Sequence, residues 1–172
     1  MGAVIPGRFT ASIEGPFVIF IVGARMNQLF AFRKWWPVAS AMGPMVKGLF
    51  QNPRSGFLGA ETFLYWRGAA LVQYWRSFED LDRFSRDPGE PHREAWRRFN
   101  RAVGTDGSVG IWHESYLVDA GRYETVYNNM PVFGLAKATR HVPATGSRET
   151  ARGRLGREGD PAVPSAAGPR ET

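Results

Sequence analysis

Gly110-Ile111-Trp112-His113-Glu114-Ser115-Tyr116-Leu117-Val118 alternates as a β-strand does, and its place at the end of a run of elements decides the fold. A strand sends successive side chains to opposite faces, so Trp112, Glu114 and Tyr116 share one face and Ile111, His113, Ser115 and Leu117 the other. An ionisable imidazole among Ile, Ser and Leu is a candidate for chemistry. The alternative is a core histidine whose hydrogen bonds are satisfied.

Upstream, Gly15-Pro16 opens the run from Phe17 to Asn27, which is β-branched and aromatic and reads as a buried central strand ending in Arg25, Met26 and Asn27. Val38, Ala41, Met42, Met45, Val46 and Leu49 recur at three- and four-residue steps, predicting an amphipathic helix over Lys34 to Phe50 that Pro44 should kink or break. Phe57 to Trp66 and Ala69 to Trp75 read as two strands joined by a hairpin turn at Arg67-Gly68. Ser77-Phe78-Glu79-Asp80 resembles a capping box and starts a helix carrying Leu81 and Phe84. A second helical piece runs from Glu90 to Val103. With the strand from Gly110, the order is β-α-β-β-α-β, an α+β, ferredoxin-like plan with a four-stranded antiparallel sheet. One sheet face takes the helices and the other needs a cover, and a second copy of the sheet supplies one, as a face-to-face dimer or barrel. Residues 1–15 read as an arm, 16–138 as the domain, and 139–172 as a basic tail that is disordered or strapped over a neighbour.

The 172 residues suit one domain, and 6 Trp, 5 Tyr and 12 Phe supply material for a core or an apolar pocket. With no cysteine, disulfides, thiolate metal sites and a cysteine nucleophile are excluded. The net charge of +6 comes largely from arginines interleaved with Glu and Asp, without a nucleic-acid motif, so no nucleic-acid partner is expected. Phe17 to Ala24 is far short of the roughly 20 residues that cross a bilayer, so no membrane association and a cytoplasmic location are expected. Neither a nucleotide-binding glycine motif nor a serine-hydrolase elbow is present.

Several motifs in linear order resemble a known family: Arg25-Met26-Asn27, Trp36-Pro37-Val38, Gly56-Phe57-Leu58-Gly59, Tyr74-Trp75-Arg76-Ser77, His92-Arg93-Glu94-Ala95-Trp96, Gly110-Ile111-Trp112-His113-Glu114 and Tyr127-Asn128-Asn129-Met130-Pro131. The chain resembles the dimeric α+β barrel superfamily of antibiotic-biosynthesis monooxygenases and, more closely, the family named after the monooxygenase of the fungal fumagillin pathway. The resemblance implies a homodimer and one of two chemistries. Some members of the superfamily oxygenate electron-rich aromatic or polyketide substrates with O2 alone. Others, more distant, hold haem between sheet and helices on an imidazole ligand, as aldoxime dehydratases do.

Weighed with that resemblance, His113 is the candidate base or hydrogen-bond partner for substrate, or the axial ligand if haem is bound, with His92 the second choice. Tyr74 and Arg76 would stabilise developing oxyanion charge. Asn27 would orient oxygen, although an asparagine ending a strand is commonly only a turn residue. Trp66, Trp112, Tyr116, Trp96 and Met26 would line the substrate pocket. The leading expectation is a monooxygenase-like enzyme that needs no cofactor and acts on a small hydrophobic metabolite and O2. Alternatives are a haem enzyme of the same fold and a non-catalytic ligand-binding module.

Overall fold

The computed structural model describes residues 2–52, 55–86, 97, 101 and 103–156. The second helical piece expected over 90–103, with His92 and Trp96, lies almost wholly outside the described residues, as does the chain after 156. The described residues form two compact units, one of residues 16–118 and one of residues 2–15 with 119–156.

The larger unit contains β2 (Phe17–Met26), α1 (Phe32–Gln51), β3 (Phe57–Tyr65), β4 (Gly68–Trp75), α2 (Phe78–Arg86) and β5 (Val109–Val118). Its four strands are antiparallel in the order β3-β4-β2-β5, the ferredoxin-like arrangement, with the first strand of the motif at the centre beside the last. β2, the most apolar strand, is central, with Phe17 and Val18 almost inaccessible and Ile19 to Val22 partly buried. α1 runs unbroken from Phe32 to Gln51, so Pro44 does not end it.

The register assigns every side chain to a face. Val18, Phe20, Val22 and Ala24 of β2 pair with Trp75, Gln73, Leu71 and Ala69 of β4, and with Leu117, Ser115, His113 and Ile111 of β5. This is the helix face: Val18, Leu71 and Trp75 form the core with Leu49 of α1 and Leu81 of α2, and Phe20, Val22, Phe57, Ala60 and Phe84 pack around them. Trp75 is 0% exposed and its ring meets those of Phe57 and Phe84 at 5.3 and 5.2 Å. The opposite face carries Ile19, Ile21 and Gly23, flanked by Tyr74, Val72 and Ala70 on one side and Tyr116, Glu114 and Trp112 on the other.

Local chemistry accounts for the ends. Ser77 Oγ accepts the backbone N–H of Asp80, capping α2 as the sequence predicts, and Arg83 and Arg86 pair with Asp80 and Asp82 one turn back. The hairpin loop differs by one residue from its expected position. Tyr65 pairs with Gly68, so the loop is Trp66-Arg67, and Arg67 takes the left-handed conformation at φ 67°. The cost of that conformation is offset by the arginine side chain, which donates to the carbonyls of Met26 (2.9 Å) and Asn27. Gly68 stays glycine because the Tyr65 ring and the Ala24 carbonyl fill the place of a Cβ.

In the smaller unit, residues read from sequence as an arm and a tail are paired strands. β1 (Ile5–Ser12) lies between β6 (Tyr127–Met130) and β7 (Arg140–Pro143), all antiparallel. A short helix α3 (Gly134–Ala138) buries Leu135 and Ala136, and α4 (Ala151–Arg154) follows. Arg154 has a side chain 5% exposed, pairs with Glu124 at 2.5 Å and donates to the carbonyls of Arg148 and Glu149, which orders a stretch whose composition reads as disordered. Among the described residues no helix is long and apolar enough to cross a membrane.

Candidate functional site

His113 sits on β5 opposite Val22, so its imidazole rises on the helix face, as the alternation at Gly110–Val118 predicts. Its ring lies 5.7 Å from that of Phe20, tilted by 42°, and the residue is exposed. Among the described residues no hydrogen bond engages either ring nitrogen, so the alternative of a core histidine with satisfied hydrogen bonds is not what the structure contains. Its neighbours on that face are Val22, opposite it on β2, and Phe20, with Ser115 two residues further along β5. An imidazole on an apolar floor, open on one side, can take a proton from a bound apolar molecule or donate one to it.

The other predicted residues do not converge on it. Trp112 and Tyr116 lie on the opposite face with Tyr74, which shares a row with Ile19 and Tyr116. There the Trp112 indole lies flat over Gly23 and donates from Nε1 to the Tyr65 hydroxyl (3.1 Å), which in turn donates to the Ala24 carbonyl (3.0 Å). The Tyr116 hydroxyl donates to the Glu114 carboxylate at 2.5 Å. That hydrogen bond, with the negative charge beside it, raises the Tyr116 phenol above its ordinary 10.0.

Trp66 is in the hairpin loop and 81% exposed. Arg76 follows β4, exposed, with its backbone N–H donated to the Gly56 carbonyl (2.9 Å). Met26 ends β2. Asn27 is a clasp: its side-chain amide donates to the Gly107 carbonyl (3.0 Å), and its backbone N–H to the Ser108 carbonyl (2.9 Å). The same loop is tied by Asp106, which accepts from Ser108 and pairs with Lys34 near the start of α1. Asn27 therefore performs the turn-residue role. His92 and Trp96 lie outside the described residues.

Gln73 was not singled out by the sequence reading, yet it occupies the helix face one strand from Phe20. It is 5% exposed, and its carboxamide oxygen accepts the Trp75 indole N–H at 2.9 Å. The signal was available in the alternation: Ala69, Leu71, Gln73 and Trp75 share one face, and a glutamine among core residues breaks the pattern.

Comparison with known proteins adds a lineage to this geometry. The sequence profile of the monooxygenase af470-like family matches residues 17–135. Monooxygenase af470 of Aspergillus fumigatus is 28% identical over 151 residues, covering 75% of this chain and 53% of that protein, so the chain spans about half the length of its curated relative. Among solved structures, an aldoxime dehydratase is 17% identical with a TM-score of 0.60, over 84% of this chain and 45% of the other, a likeness of fold. SnoaB, a cofactor-independent oxygenase from Streptomyces nogalater, is 15% identical with a TM-score of 0.40, over 58% of this chain and 90% of the other. With its ferredoxin-like sheet and a profile match over most of its length, the chain belongs to the monooxygenase af470-like family.

Proposed function

We propose that this protein is a monooxygenase-like enzyme that binds a small hydrophobic metabolite against the helix face of its four-stranded sheet. The observation that carries the reading is His113, an unengaged imidazole on an apolar floor of Phe20 and Val22. Membership of a family named for a monooxygenase supports it. In the reaction proposed, His113 takes a proton from an activated C–H group of an electron-rich substrate, and the resulting carbanion gives electrons to O2. One oxygen atom enters the substrate in place of two hydrogens, and the other leaves as water. The substrate supplies all four electrons that reduce O2, two for each oxygen atom, so no external reductant is required. General-base catalysis of this kind contributes roughly 10²–10⁴-fold.

Haem is the second group the fold suggests. Histidines that ligate metals almost always donate their other ring N–H to a carboxylate, carbonyl or water, which fixes the ring. His113 has no carboxylate or carbonyl partner of that kind among the described residues, so the protein residues alone do not fix its ring as an axial ligand, and a water would have to. A Soret band formed on adding hemin and abolished by His113→Ala would reverse that assessment.

The opposite face of the sheet, with Phe63, Trp112, Tyr116, Ile19 and Ile21, is proposed as the contact between two copies of the chain. Its aromatic side chains leave substantial apolar area in water, which self-association would remove.

The enzymatic reading is tested with an oxygen electrode and a panel of anthrones, phenols and terpenes. Substrate-dependent O2 uptake is expected. Uptake that stays at background across the panel, while ligands still bind, makes the protein a binding module instead.

A further inference from the structure

We propose that the Gln73 carboxamide is a ligand-recognition group that donates a hydrogen bond to an acceptor oxygen, a ketone or quinone carbonyl, on an otherwise apolar molecule. The proposal rests on the reading of the helix face as the binding surface and names the chemical class it takes.

Trp75 fixes which end of the amide is presented. An indole N–H is only a donor, so the atom 2.9 Å from it is the carboxamide oxygen and the NH2 group points away. Trp75 is fully buried against Phe57 and Phe84, which holds its indole and so holds the amide. Among the described residues no hydrogen bond engages that NH2. The polar atom sealed from solvent without a partner among them is His141 Nε2, in the other unit. The Gln73 NH2 therefore keeps a sliver of access, on a residue 5% exposed. With no hydrogen bond to a described residue, that NH2 meets water in the free protein, and a ligand oxygen takes the water's place.

The position of Gln73 relative to His113 gives the ligand its geometry. Gln73 and Ser115 flank Phe20 on either side, and His113 is the next helix-facing residue along β5. Strand spacing places the Gln73 and His113 backbones roughly 12 Å apart, diagonally across Phe20. A fused-ring ligand lying on Phe20 thus presents its carbonyl to Gln73 at the covered side and its reactive edge to His113 at the open side.

The test uses two probes of nearly equal shape, 1-tetralone, which accepts hydrogen bonds and donates none, and tetralin, which does neither. Binding to the full chain is followed by calorimetry, with affinities corrected for water–alkane partition. The wild type is expected to prefer tetralone about fivefold or more. Gln73→Met should erase that preference and leave tetralin binding within twofold. Gln73→Leu, which also removes the NH2 donor, should erase it too, and serves if the methionine variant folds poorly. Equal wild-type affinity for the two probes, or a tetralone preference that survives both substitutions, overturns the role of Gln73 while the apolar surface stands. Failure of both probes to bind the wild type overturns that surface and the proposal together.

Discussion

Gly23 shows how one residue sets a face of the sheet. A Cβ there would sit 2.6 Å from the Trp112 indole, which lies over the bare backbone and is fixed by the Tyr65 hydroxyl. Gly23→Ala must push the indole off the sheet and break that bond, and should lower unfolding free energy by about 1–3 kcal/mol. Urea denaturation measures the loss, and the near-UV dichroism of tryptophan should change with it. Further along the same face, Tyr116 gives a pH prediction. Its hydrogen bond to Glu114, with that charge adjacent, favours the neutral phenol, so the small stabilisation it lends is present below pH 10 and is lost as pH rises through the raised folded value. Ultraviolet titration should find Tyr116 ionising above its ordinary 10.0, and Glu114→Gln should bring it back down. The sequence showed the alternation that separates His113 from Trp112. The same alternation puts Gln73 beside Leu71 and Trp75, but it does not show the indole hydrogen bond that sets which end of the amide is presented. Nor did it show Asn27 as a clasp, since its partner Gly107 is 80 residues away.

At the scale of elements, local rules succeeded where local chemistry decides. The Ser77 cap of α2 is such a case, and Ser77→Ala should cost about 1 kcal/mol in thermal or urea unfolding, with α2 opening earlier in hydrogen exchange. The β3–β4 loop fell one residue from its expected position because its deciding contacts are not local. A left-handed Arg67 is held by carbonyls at the end of β2, and Gly68, which attracts the turn assignment, is needed instead for close packing against Tyr65. The central strand and both flanking strands of the larger unit were legible because a continuous apolar run and period-two alternation record burial directly.

At the scale of the whole molecule, the ferredoxin-like order follows from the succession of elements, while the smaller unit does not. β6 and β7 have four residues each, and their pairings with β1 join residues more than 100 positions apart, such as Thr10 with Val142. No window of sequence contains both sides of such a ladder. The face-to-face pairing proposed for the larger sheet predicts a dimer at micromolar concentration in sedimentation, shifted towards monomer by Trp112→Arg. A clean wild-type monomer would contradict it.

The central claim is that chemistry belongs to the helix face and to His113. It is tested most directly by O2 uptake with a substrate the wild type consumes, comparing His113→Ala with Glu114→Gln, its neighbour on the opposite face. The expected result is a fall of about 10²–10⁴-fold for His113→Ala and a change within twofold for Glu114→Gln. Full activity in the folded His113→Ala protein would contradict the account.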